Sequence, residues 1–149
     1  MTARTPGAPP PDPSPGPSAG PSAGPGPAPV PAGERRIIGR IGEELACRFL
    51  EERGLAVLAR NWRCREGELD AVVRDGSHAV AVEVKTRTGE GYGHPLEAIT
   101  HEKSQRLRRL IVSWARQHTP PGTPLRVDAI AVRLWPQRGA DIEHLRGIS

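Results

Sequence analysis

Apolar positions along the chain follow two periods. Between residues 34 and 53, Ile38, Ile41, Leu45 and Phe49 recur at spacings of three and four and Gly54 follows as a stop, a pattern that predicts an amphipathic helix. On a wheel advancing about 100° per residue, Glu43 falls beside Ala46 and Leu50 at the edge of the apolar stripe, whereas Glu44 points away. Glu43 is therefore the acid able to look inward. Period two then takes over in residues 55–63, in "GELDAVVRD" at 67–75 and in "AVAVEVKTR" at 79–87, predicting three strands. Asp75-Gly76 is a hairpin turn signal, which makes the second and third strands antiparallel neighbours. A two-residue loop pairs Arg74 with Ser77, and a four-residue loop pairs Arg74 with Ala79. Asp70 then lies either diagonal to Glu83 or directly opposite it, on a shared face in both cases.

After the looser "TGEGYGHPLEAI" a second helix is expected, with Leu107, Leu110, Ile111 and Trp114 as its stripe and Lys103 in line near its start. Arg106, Arg108, Arg109 and Arg116 spread over its other faces. "PPGTP" at 120–124 breaks this helix, "LRVDAIAVRLW" at 125–135 reads as a strand, and 141–145 as a weaker one. The order helix, three strands, helix, two strands predicts an α/β domain round a mixed sheet.

Composition changes this picture only at the N-terminus. Residues 1–33 hold twelve of the 17 prolines and two charged groups, Arg4 and Asp12, and cannot bury enough surface to offset their ordering entropy. They are expected to form a disordered tail ahead of one domain over 34–149. Arg4 and Asp12 cancel, so the net charge of +4 belongs to the domain, a mild basic excess that suits a polyanion partner. No apolar run approaches a membrane span, and no secretory signal opens the chain. Cys47 and Cys64 lack metal-ligand spacing and read as reduced thiols of a cytoplasmic protein. The five histidines form no metal-binding pair or triad, and aromatic residues at 3% argue against a single-strand stacking platform.

The candidate chemistry lies on the hairpin. Asp70, Glu83 and Glu68 project near Lys85, and Glu43 is available from the first helix. Two carboxylates about 5 Å apart repel by about 3 kcal/mol at an effective dielectric of about 20, so a compensating cation is required. Lys85 alone would make this a sheet face of cross-strand ion pairs. Alternatively, Asp70, Glu83 and Glu43 hold Mg²⁺ or Mn²⁺, with the carbonyl of Val84 as a further ligand and Lys85 acting on a phosphodiester under attack by water.

The stretch "GRIGEELACRFLEERGLAVLARNWRCREGELDAVVRDG", followed by "VAVEVKTR", "YGHPLEAIT", Lys103 and "RVD" at 126–128, resembles the YraN family of bacterial proteins. Those proteins resemble PD-(D/E)xK endonucleases and the archaeal Holliday junction resolvases. The resemblance spans about residues 36–146. It implies a restriction-endonuclease-like sheet flanked by helices, with Glu43 as the first-helix acid, Asp70 as the motif aspartate, and Glu83 with Lys85 as the E-x-K pair. Leu69 stands where the nuclease motif has proline, and Ala81 where the family often has a larger apolar residue; neither change removes a ligand. The function implied is metal-dependent hydrolysis of DNA at branched or junction structures, as arise in repair or recombination, with a homodimer called for if both strands are cut. Arg87 and Lys103 are candidate contacts to substrate phosphate, as is Arg63 with Asn61 at the end of the first strand. Asp128, beside Arg126, reads as a structural ion-pair member. The competing expectations are a non-catalytic nucleic-acid-binding module on the same fold and a scaffold for protein partners.

Overall fold

The first helix, α1, runs from Ala32 to Glu52 in the computed structural model of the chain, which describes residues 28–90 and 93–148. Its end is set by Gly54 at φ +85°, a conformation glycine takes without penalty, with the Gly54 and Leu55 amides returning to the carbonyls of Glu51 and Leu50. Strands β1 (Ala56–Cys64), β2 (Gly67–Asp75) and β3 (His78–Thr88) follow, then a single 3₁₀ turn at Pro95–Ala98 and helix α2 (His101–His118). Thr100 caps α2, its hydroxyl accepting the Lys103 amide. Strands β4 (Leu125–Trp135) and β5 (Gly139–Leu145) complete a five-stranded sheet in the order β1-β2-β3-β4-β5. Only the β3–β4 pair is parallel, and α2 is the crossover that joins it. The chain is thus a mixed-sheet α/β fold, as its pattern predicts. The tail expected over 1–33 falls mostly on residues 1–27, outside the described residues.

The helices cover opposite faces of the sheet. Ala46, Cys47 and Leu50 of α1 pack on Ala71, Val73, Val80, Val82, Ile130 and Val132, whereas Leu107, Leu110, Ile111 and Trp114 of α2 pack on Leu69, Val72, Ala79, Ala81 and Val127. Residues 79–82 of β3 are therefore buried on both faces rather than on one, the usual condition of a strand in a parallel pair.

The face that α1 buries differs from the predicted stripe. Gly42, Ala46, Cys47 and Leu50 are buried, Leu45 and Phe49 pack at the edge, and Ile41 is 44% exposed. The reason is close approach: a Cβ on Gly42 would overlap the Thr86 side chain of β3. Periodicity weighs large apolar residues, and this helix seats itself by small ones. The close seating brings the next residue, Glu43, down toward the sheet.

Candidate active site

The β2–β3 hairpin closes with Asp75 opposite His78 and Arg74 opposite Ala79, one of the two registers expected. Continued, this register would set Asp70 directly across from Glu83. The ladder stops one step short, at Ala71 and Val82. In place of the missing rung, the Val84 amide donates to Oδ2 of Asp70 at 2.9 Å. Strand alternation also slips at Asp70: Leu69 and Val72, three residues apart, both pack against α2, while Ala71 and Val73 face α1. Neighbouring β1 is irregular at the same level, where Asn61 takes φ +49° between the paired residues Arg60 and Trp62. Asn tolerates this left-handed conformation better than most non-glycine residues.

The slip corrects the expectation that Asp70 and Glu83 share one regular face. Asp70 lines a cavity of about 370 Å³ beneath α1, with Arg40, Glu43, Cys47 and Asn61. Glu83 turns toward α2, where its Oε1 lies 2.9 Å from Nζ of Lys103 and 3.5 Å from Nζ of Lys85. The two acids meet across a fork in the sheet, not side by side on a ladder.

The electrostatics of the fork are unbalanced. Burial and then the charge of Glu83 push the Asp70 carboxyl up to about 7, against the lowering effect of the Val84 amide; Glu43 and Glu68 push the same way. Glu43 is also raised, by burial first and then by Glu68 and Glu83, with Arg40 opposing. Lys103 is partly desolvated, which disfavours its charge, but the contact with Glu83 and the charges of Glu83 and Asp70 outweigh this and hold its ammonium above the ordinary range. Glu83 thus has two ammonium neighbours, and Asp70 pairs with no cationic side chain among the described residues.

The model of the Uncharacterised protein family UPF0102 matches residues 42–132. A UPF0102 protein of Streptomyces griseus is 50% identical over 117 residues, covering 77% of this chain and 98% of the relative. Those of Acidothermus cellulolyticus and Nocardia farcinica are 47% and 45% identical, each over 78% of this chain and over 96% and 91% of their own lengths. The chain belongs to the UPF0102 family. This is the family of the YraN proteins that the motifs resemble. The UPF0102 match takes in Glu43, Asp70, Glu83, Lys85, Lys103 and Asp128, and excludes the proline-rich N-terminus.

Outside the fork, the remaining candidates of this UPF0102 chain separate. Arg63 is 76% exposed and meets Glu68 at 3.4 Å, an ion pair too solvated to hold it in place. It lines a polar groove of about 770 Å³ with Arg36, Arg40, Glu43, Asn61 and Glu68, adjoining the fork. Arg40 was not among the expected residues; its signal was the spacing of three from Glu43 on one helix. Arg87 is exposed and its guanidinium reaches only the Thr86 carbonyl, so the fold does not draw it to the acids. Asp128 is structural, as expected: it is fully buried and bound by Arg126 at 2.7 Å, His144 at 2.8 Å and the Gly147 amide at 3.0 Å. Cys47 and Cys64 are free thiols. No helix among the described residues is long and apolar enough to cross a membrane.

Asp70, Glu83 and Glu43 offer hard carboxylate oxygens of the kind Mg²⁺ and Mn²⁺ take, and the uncompensated charge at Asp70 fits a cation. Among the described residues no three His, Cys, Asp or Glu side chains stand close enough together to hold an ion as they are arranged. The donors match in kind, and Glu83 is the one already engaged by ammonium groups.

Proposed function

We propose that this protein is a divalent-metal-dependent endonuclease acting on DNA phosphodiesters. The observation that carries the reading is the fork itself: Asp70 held protonatable near neutrality with no cationic side chain paired to it among the described residues, beside Glu83, Lys85 and Glu43, at the end of an arginine-lined groove. Asp70, Glu83 and Glu43, with the Val84 carbonyl, would hold Mg²⁺ or Mn²⁺, which would supply Lewis acidity toward the scissile phosphate and a more acidic water. Lys85, two residues from Glu83 on β3, would orient the attacking water or meet charge developing on the phosphate. Arg36, Arg40 and Arg63 receive the backbone of the strand, and Arg87 extends the contact beyond Lys85. Branched or junction DNA fits the resemblance to resolvases, and symmetric cutting would use a homodimer.

A second reading, a nucleic-acid-binding module without catalysis, draws on the lack of three gathered ligands among the described residues. Labelled junction, flap, nicked, linear and RNA substrates incubated with Mg²⁺ or Mn²⁺ separate the two. The nuclease cleaves at least one of them; Asp70→Asn abolishes this, and Lys85→Ala suppresses turnover while sparing Mn²⁺ affinity. Salt-dependent DNA binding with no cleavage of any substrate would replace the enzyme with the binding module.

A further inference from the structure

Glu83 is 5% exposed, and two ammonium groups converge on one of its oxygens, Lys103 at 2.9 Å and Lys85 at 3.5 Å from Oε1. One cation is enough for one carboxylate. The second is surplus at Glu83 while Asp70, across the fork, pairs with no cationic side chain among the described residues, an uneven distribution for a site built only as an ion-pair network. The two lysines are also held differently. Lys85 belongs to β3 itself, and its side chain is 25% exposed. Lys103 reaches in from α2, is 37% exposed, and sits in the first turn of that helix, where the positive end of the helix dipole disfavours a cation. Its position is therefore explained by Glu83 and not by its own helix.

Resting on the metal-dependent reading above, we infer that Lys103 is a displaceable placeholder cation, occupying the Glu83 oxygen that a divalent ion would take and leaving it when the ion binds, while Lys85 stays. The ammonium neutralises Glu83 before loading and keeps the acids apart from one another's full charge. It also bears on the ungathered ligands, because the Lys103 contact draws Oε1 of Glu83 toward α2. Ion binding must then overcome the Lys103 contact, so the wild-type site binds metal more weakly than its carboxylates alone would allow.

Calorimetric titration of Mn²⁺ into the full chain tests this without reference to cleavage. Lys103→Met should bind Mn²⁺ at least about fivefold more tightly than wild type, the low end of ordinary coupling between two sites. Lys103→Arg, which keeps the charge, should bind within about twofold of wild type. Circular dichroism checks the fold, and Lys103→Gln carries the same expectation if Lys103→Met does not fold. If wild type binds Mn²⁺ and removal of the Lys103 charge leaves affinity equal or weaker, the placeholder is overturned and the metal site stands. If no variant and no wild-type protein takes up Mn²⁺, the metal reading itself fails and the inference falls with it.

Discussion

Asp70 and Asp128 are two aspartates drawn into the same sheet, and their surroundings are opposite. Asp128 is buried, which alone would raise its carboxyl, yet His144, Arg126 and the Gly147 amide together hold it down to about 2. Asp70 has one amide against burial and three acidic neighbours, and its carboxyl rises to about 7. The contrast separates an acid that the fold stabilises from an acid that the fold strains. Structural carboxylates are surrounded until their charge is favourable, and an acid left short of partners in a groove is a candidate for chemistry.

The largest expected effect lies on the stabilised side. Asp128→Ala leaves Arg126 and the Gly147 amide without their shared acceptor and should cost about 3–5 kcal/mol in denaturant unfolding, the usual penalty for breaking a buried charge pair. If Asp128→Ala and Asp70→Ala destabilise equally, the distinction between the two aspartates collapses.

Next comes the seat of α1. Gly42→Ala should destabilise by about 1–3 kcal/mol, because the added methyl meets Thr86. Thr86→Ala in the same chain should recover part of the loss. The substitution also lifts Glu43 and the helix from Asp70, so the Asp70 carboxyl, followed by NMR titration, should move down toward the ordinary range.

Asp70→Asn sharpens the comparison through pH. An unfolded aspartate titrates near 3.8 and the folded Asp70 near 7, so as pH rises between these values the unfolded chain releases the proton first, and stability falls. Asp128 runs the other way: its contribution is complete above about 4 and is lost as pH drops toward 2. Asp70→Asn should therefore melt near wild type at pH 4 and exceed it by about 2 kcal/mol at pH 8, after allowance for relaxation of Glu83 and Glu43. A wild-type curve flat between pH 4 and 7 would remove the strain on which the proposed site rests.

Much of this contrast was legible in the residues. Strand 67–75 and strand 125–135 have the predicted bounds, the Asp75-Gly76 signal narrows the hairpin to two registers of which the chain adopts the one pairing Arg74 with Ala79, and Glu43 faces inward because the wheel is insensitive to small shifts in the helix. What escaped was the break at Asp70. Period-two reasoning extends a ladder until something stops it, and here the stop is a main-chain change at Asn61 and Asp70 that polar side chains do not announce. The position of Gly42 was hidden for a related reason, since a contact made by the absence of a side chain carries no hydrophobic signal. Lys103 could be placed near the acids by its motif, but not on a particular oxygen.

The smallest expected effect concerns the N-terminus, and it tests whether the two aspartates are the whole of the electrostatic story. Residues 1–27 carry one positive and one negative side chain and almost no branched apolar residue, so they have little with which to pack and no net side-chain charge to add to the groove. The family match also begins beyond them, at residue 42. A chain starting at residue 28 should melt within about 2 °C of the full chain, and it should keep both limbs of the pH profile, the rise to pH 4 from Asp128 and the fall to pH 7 from Asp70. Under the proposed nucleic-acid reading, the salt dependence of duplex DNA binding should have the same slope in both chains, because the segment's side chains add no net charge. A shallower slope after truncation would assign Arg4 a phosphate, and a lost upper limb would mean that the segment lies against the fork and contributes to the burial of Asp70.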